Sequence, residues 1–571
     1  MTPHRRRAVR CALLHAVAAT LIVACTSVPA VGGGASGATG ISAYPPRDLA
    51  RRTPQTRAER SAFRETSTHA DVLAFLDSLK AMSAEMHVTA FGTTSRGRDL
   101  PLVVLSRPLV RTPAEARRLN RPVIFVQGNI HGGEVEGKEA LLSILRDLTL
   151  DRYQNVLDSI VLVALPIYNA DGNDSLGPQE RNRGSQQGPA LIGQRANGQG
   201  LDLNRDYMKA EAPETRASLQ LFRDWDPDVF VDLHTTNGSY HGYALTWAPS
   251  LNPAAIFTGP FTRDTILPAL QEMLQRRLRM RTFPYGNFAR DSIERGWFTY
   301  DHRPRFGTNY YGIRGRIGIL AEAYSHDPFE RRIASTYGFV MELLSLLAAN
   351  GEEVAEAGRE ADRRTTAFAS TVNASPRVPI RARLTQTARV AEVLVEDVIR
   401  TGDTVRYEVG MPRGVQRTGR VRAVRVPVYD RFDPALEQSL PYAWAFSPEH
   451  ADLVAPLRRH GVFVEVLQAP ARVLVERFTI DSIARAPRPF QGHQETTLEG
   501  RWVTDSLTLE RGIRVVRAGQ PLGILALYLL EPQSDDGLAT WNFLDPWISV
   551  GGRYPIARVM SRITAPLVQV P

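Results

Sequence analysis

Four strand-length apolar runs constrain this chain more than anything else in it. They are Val123 to Val126, Ile160 to Leu165, Asp228 to Leu233 and Ile317 to Ala321. Each is nearly continuous in β-branched or other apolar residues, the pattern of a strand buried on both faces. Segments with helical spacing separate or follow them: Glu134 to Leu148, Glu214 to Trp225, Phe261 to Leu278 and Phe329 to Ala349. Strands alternating with helices predict an α/β fold, a mostly parallel mixed sheet with helices on both faces.

Each run is followed by a residue able to do chemistry: His131, Asn169, His234 and Glu322. Open α/β sheets collect such residues at the carboxyl ends of their strands. The first of these turns is the most informative. In VIFVQGNIHGGEVEGKE, Gly128 and Asn129 end the strand, and Gly132 and Gly133 allow a sharp turn. His131 and Glu134 are then presented together. An imidazole and a carboxylate three residues apart can grip one metal ion, leaving positions for a third ligand and water. Read in isolation, the same turn is a polar helix N-terminus with Glu134 favoured by the helix dipole.

Composition narrows the chemistry. With 571 residues the chain can form two to four domains, and 43% hydrophobic with 23% charged residues describes a soluble globular protein. The formal charge is +9, but Arg5, Arg6, Arg7 and Arg10 sit in a segment expected to be removed, and no long basic run follows. No nucleic-acid partner is expected. The only cysteines are Cys11 and Cys25, so the body of the protein has no disulfide, catalytic thiol or cysteine metal site. A metal would have to be held by histidine and carboxylate.

The N-terminus reads as an export signal, with a basic stretch to Arg10 and an apolar stretch from Cys11 to Ala24. Ile22-Val23-Ala24-Cys25 resembles a bacterial lipobox, which predicts a lipid anchor on Cys25 and a periplasmic or outer-membrane location. Ordinary cleavage after Ala30 is the alternative, and twin-arginine export is left open by Arg5-Arg6-Arg7. The expected domain plan is a signal peptide (1–24), a flexible tether (25–60), a catalytic domain (61–350), a charged linker or exposed helix (351–370) and a β-rich C-terminal region (371–571). His460 and Glu465 in that last region do not have metal-ligand spacing. His241, His302 and His326 are read as loop residues.

Taken in order, HGGE, Asp202-x-Asn204-Arg205, His234 after a strand and Glu322 after a later strand resemble the zinc metallocarboxypeptidases of the carboxypeptidase A type. The resemblance covers about residues 60 to 350, and the Ser95-Arg96-Gly97-Arg98 turn resembles that family's early hairpin. It implies that His131, Glu134 and His234 are zinc ligands and that Asp202 orients His131. It implies that Asn204 and Arg205 bind the free C-terminal carboxylate of a peptide substrate, and that Glu322 is the general base. It also implies a further arginine, upstream of the Asn-Arg pair, that polarises the scissile carbonyl. Arg181 and Arg183 both fit. A mobile tyrosine is implied before Glu322, for which Tyr300 and Tyr310 compete, with Tyr311 behind them. The chain departs from the family in having Ala170 where proline is common, and in a loop to Asp202 poor in aromatic residues.

The expected activity is therefore that of an exported zinc carboxypeptidase. Two rivals stand beside it: a zinc amidase of the same fold acting on cell-wall peptides or acyl amino acids, and an inactive binding protein. Retention of Glu322 argues against the second.

Overall fold

The computed structural model describes residues 53–570 apart from 151–155, 290–291, 369–375, 388–389, 403–405 and 407–410. The export signal, Cys25, the tether up to residue 52 and most of Val405–Val409, whose sequence reads as one of the strands of the β-rich region, lie outside the described residues.

The four apolar runs form four adjacent parallel strands at the centre of an eight-stranded mixed sheet. In chain order its strands are β1 (Met86–Thr93), β2 (Asp99–Leu105), β3 (Val123–Gly128), β4 (Val161–Leu165), β5 (Val229–Thr235), β6 (Leu245–Pro249), β7 (Thr282–Pro284) and β8 (Ile317–Ala323). Their spatial order is β1-β2-β4-β3-β5-β8-β6-β7. The neighbours β4, β3, β5 and β8 all run parallel, whereas β1, β2 and β6 join antiparallel at the flanks. Every residue of β3, β4, β5 and β8 is buried, as continuous apolar runs require.

Alternation along the strands splits the core in two. Ile124, Val126, Val229, Val231 and Leu233 pack with the helices Glu136–Thr149, Leu267–Leu278 and Phe329–Ala349. Phe125 and Phe230 point the other way, onto Phe222 of the helix Pro213–Trp225 and Tyr311 of the helix Gly307–Ile313. That second core runs on without a break into the C-terminal region, through Trp444, Leu525 and Tyr528.

The C-terminal region is built on a seven-stranded sheet with a long pair, Ala471–Arg485 and Thr496–Leu509. A second pair, Val390–Arg400 and Val415–Tyr429, forms a four-stranded sheet with Asn287–Phe288 and Trp297–Phe298 from the catalytic half.

Three segments differ from the sequence expectation. Residues 53–60, expected as tether, fold: Arg57–Arg60 is a helical turn closed by a capping box between Thr56 and Glu59, with Ala58 fully buried. Residues 351–370, expected as a linker or exposed helix, include the helix Gly351–Phe368, which buries Val354, Ala355 and Ala361 on one side. The stretch from 172 to 200, whose glycine, glutamine and arginine content reads as one long loop, contains the helix Gln179–Arg183 and a short strand pair, Gly177–Pro178 with Leu191–Ile192. The helix Gly523–Leu530 was not expected at all. It is apolar on every side and fully buried, so it has no polar face to give a helical period.

Candidate metal centre and substrate cleft

The turn after β3 is shaped by Asn129. Its backbone is left-handed (φ 64°), a conformation that asparagine tolerates better than most residues. Its side-chain amide donates to the carbonyls of His131, Gly132 and Glu134 at 3.1–3.3 Å. Gly132 lies against the backbone of Gly172 and Asn173, where a Cβ would come within 2.4 Å of main-chain atoms. Asn169, at the end of β4, donates to the carbonyls of Ile130 and Arg195 at 3.1 Å each. Glycine and asparagine thus bring two strand ends and the loop before Asp202 into one place.

Ligand-type atoms of His131, Glu134 and His234 lie within 4.8 Å of one another, and all three residues are buried. The Glu134 carboxylate sits between the two imidazoles, 3.0 Å from Nδ1 of His131 and 2.9 Å from Nδ1 of His234. Each ring turns its other nitrogen to a second carboxylate. His131 Nε2 is 3.1 Å from Asp202, and His234 Nε2 is 2.9 Å from Asp232. Outer carboxylates of this kind fix the tautomer and direction of a metal-binding imidazole. Burial opposes ionisation of Glu134, but Arg183 and the two imidazoles outweigh it and hold its pKa well below the usual range. Burial also opposes a charged His234; Asp232 and Glu134 outweigh it and raise its pKa well above the ordinary value. This donor set, two imidazole nitrogens and one carboxylate, is that of a catalytic zinc site.

Glu322 comes from β8, whose register pairs it with His234 on β5. It is nearly buried, and its Oε2 has no hydrogen-bond partner among the described residues. Burial pushes its pKa up to about 8, Glu134 adds to the rise, and His234 opposes it.

The cleft beside these residues is lined by Arg195, Asn204, Arg205, Tyr285, Tyr300, Phe306 and Leu320, among others. Asn204 accepts a hydrogen bond from the Gly307 amide at 2.9 Å and approaches His234 Nε2 at 3.3 Å. The Arg205 guanidinium lies 3.8 Å above the Phe306 ring and donates to the Asn204 carbonyl at 2.7 Å, and it has no carboxylate within 4 Å among the described residues. Burial lowers its pKa.

The three arginines before Asn204 part company. Arg181 does not line the cleft; its side chain donates to neighbouring Asn182. Arg183 reaches the ligands from behind, donating to Glu134 Oε1 at 2.6 Å and to the Thr236 carbonyl at 2.8 Å. Arg195, which sequence reasoning passed over, lines the cleft itself. Its Nε donates to Asp202 at 2.9 Å, and Nη1 lies 3.3 Å from His131 Nδ1. The available signal was its position seven residues before Asp202, in the same loop.

The tyrosines separate as clearly. Tyr300 lines the cleft with Glu322, between the rings of Tyr285 (5.7 Å) and Phe306 (5.3 Å). Tyr310, the competing candidate, is fully buried away from the cleft, with Oη 2.8 Å from His460 Nδ1. It belongs to the core, because its helix turns that side toward the C-terminal region. Tyr311 is buried in the same layer, bonded to the Pro227 carbonyl. His460 also meets the Met208 carbonyl, and Glu465 pairs with Arg517, so these two residues form no joint site. His241, His302 and His326 lie outside the helices and named strands, as expected, and are buried.

Comparison with known proteins matches residues 72–254 to the zinc carboxypeptidase family. That segment of the chain is similar to the family. Among its curated relatives, carboxypeptidase 2 of Trichophyton tonsurans is 24% identical over 484 residues, covering 82% of this chain and 81% of the relative. Carboxypeptidase 2 of Trichophyton equinum is 23% identical over 482 residues, with the same coverage. Among solved structures, the metallo-carboxypeptidase from Pseudomonas aeruginosa covers 50% of this chain and 68% of its own length, at 20% identity and a TM-score of 0.36. The carboxypeptidase A from Helicoverpa armigera covers 53% and 78%, at 15% identity and a TM-score of 0.37. The matched segment holds His131, Glu134, Arg195, Asp202, Asn204, Arg205 and His234. Glu322 and Tyr300 lie beyond it and join the site through β8 and the segment before it.

Proposed function

We propose that this protein is an exported, zinc-dependent carboxypeptidase that removes the C-terminal residue from peptides. The observation that carries the proposal is the sharing of one cleft by a His-Glu-His triad and a partly buried arginine with no carboxylate partner among the described residues. Arginine's planar fork suits a substrate carboxylate bound through two hydrogen bonds. His131, Glu134 and His234 would hold the zinc, which when bound supplies a Lewis acid and makes water acidic enough to act as a nucleophile near neutral pH.

The chain's own residues do the rest. Arg205 and Asn204 take the terminal carboxylate and set the depth of the substrate. Asp202 and Asp232 keep the two imidazoles aimed. Glu322 accepts a proton from the attacking water and returns it to the leaving amine. Arg195 donates to the scissile carbonyl oxygen as negative charge develops there, a role for which it fits better than Arg181 or Arg183. Tyr300 walls the cleft beside Glu322.

The test is release of single amino acids from peptides with free and with amidated C-termini, with and without a chelator. Chelator-sensitive release from the free acids alone is expected. Equal cleavage of amidated peptides would favour the zinc amidase, and no cleavage by zinc-loaded protein would favour a binding protein. Export is the accompanying proposal, supported by the N-terminal sequence. If Cys25 carries a lipid, the mature protein partitions with membranes and Cys25→Ser releases it. A wild-type protein recovered wholly soluble would exclude the anchor.

A further inference from the structure

The segment from Trp297 to Phe306 carries Tyr300 into the cleft and ends on the ring beneath Arg205. Almost every residue in it except Tyr300 is tied down, partly from the catalytic half, where Asn309 donates to the Asp301 carbonyl at 2.8 Å, and partly from beyond residue 376. On one side Trp297 and Phe298 pair in parallel with Val428 and Tyr429. The Thr299 amide donates to the Tyr429 carbonyl at 2.9 Å, and the Phe298 and Tyr429 rings stack at 4.4 Å. On the other side His302 Nε2 lies 2.9 Å from Asp535. Arg303 donates to Glu495 at 3.0 Å and Arg305 donates to the same carboxylate at 2.6 Å. Arg305 is also held twice by Asp536, through its backbone amide at 2.6 Å and through Nε at 3.0 Å.

Arg305 and Asp536 are both buried, and Trp541 packs on the guanidinium at 4.4 Å while donating to Asp536 at 2.9 Å. A buried pair of this kind adds little net stability over an apolar contact, but it is costly to break on one side only. It therefore holds geometry better than it adds stability. Here the geometry it holds is that of one short segment of the cleft. The Tyr300 hydroxyl meets Asn309 at 3.4 Å and neighbours Thr308, both within the catalytic half.

We propose that the C-terminal region is a positioning element for the substrate cleft. Glu495 and Asp536, acting through Arg303 and Arg305, hold the backbone of residues 297–306 and so set where Tyr300 enters the cleft. Glu495, Asp536, Arg303 and Arg305 are positioning residues, and none of them lines the cleft. Only the kinetic part of the test rests on the carboxypeptidase reading.

Glu495→Gln and Asp536→Asn are the variants; the first removes a partly exposed carboxylate, the second a buried one. Hydrogen exchange, which needs no activity, is measured at the Thr299 and Arg305 amides and across β3 and β5. Both variants are expected to speed exchange at the two segment amides about tenfold or more, with the central strands unchanged. On a free-acid peptide kcat/KM is expected to fall roughly tenfold at unchanged zinc content. In a Tyr300→Ala background the same substitutions should add less than about threefold, because both act on one element. Unchanged exchange at residues 299–306, or uniform acceleration through β3 and β5, would overturn the proposal. So would losses that multiply fully with Tyr300→Ala. If the wild type cleaves no peptide, the carboxypeptidase reading falls while the exchange data still decide the clamp.

Discussion

Glu322 stands directly beside His234 in the register of two adjacent parallel strands, β8 and β5. A proposed base and a proposed ligand are therefore held at a fixed separation by main-chain pairing, not by loop conformation. The arrangement predicts that Glu322→Gln keeps the fold and the metal. The amide cannot take a proton from water, so kcat is expected to fall by at least about 10²-fold. Near wild-type turnover by that variant would place the base elsewhere.

The metal prediction follows from the triad. Purified protein should retain about one zinc per chain, and loss of both His131 and His234 to alanine should abolish retention, because a single carboxylate does not hold zinc tightly. Metal analysis by mass spectrometry decides it. Stoichiometric zinc in the double variant would show that the ion binds at another place.

Arg205 gives a prediction about substrate. Amidating the peptide removes the partner of a partly buried guanidinium and should lower kcat/KM by roughly 10²-fold. Arg205→Ala should lower it similarly on the free acid, with little further loss on the amide, since both changes delete one interaction. Additive losses would mean that Arg205 does not meet the terminal carboxylate.

The three upstream arginines can be ranked. Arg195→Ala should reduce kcat by about 10²-fold or more, as expected for loss of a donor to the developing oxyanion. Arg181→Ala should leave kcat within about twofold, since substitutions of exposed side chains away from a site have small effects. Arg183→Ala should act through Glu134 and show first as weakened zinc retention. A reversal of the order of Arg195 and Arg181 in steady-state kinetics would refute the ranking.

Asp228 gives a test of stability against pH that does not involve the metal. Its carboxylate accepts the Val123 amide at 2.8 Å at the amino ends of β3 and β5, and burial pushes its pKa up to about 6. A carboxyl with a raised folded pKa contributes stability that is fully present below its unfolded pKa, about 3.9, and is lost as pH rises through about 6. Asp228→Asn should therefore gain on the wild type between pH 4 and pH 8, by on the order of 1–2 kcal/mol. Denaturant unfolding at the two pH values measures this, and an equal difference at both would contradict it.

The sequence alone was enough for the centre of the fold and for the order of the site. Val123–Gly128, Val161–Leu165, Val229–Thr235 and Ile317–Ala323 are buried on both faces, so their apolar runs are continuous and visible. His131, Glu134, His234 and Glu322 follow those runs directly, and strand ends converge. What only the tertiary structure decided concerns residues whose neighbours are distant in the chain. Arg195 sits on the cleft because Asn169 holds its carbonyl from another strand end. Asp232 reaches His234 from the same strand, in a run that reads as purely structural. Tyr300 and Tyr310 are indistinguishable by spacing, yet one lines the cleft and the other packs on His460, 150 residues away. The same holds for the C-terminal region, whose Glu495 and Asp536 meet Arg303 and Arg305 across 190 residues or more. Periodicity reports which face of an element is buried; it carries no record of which other element buries it.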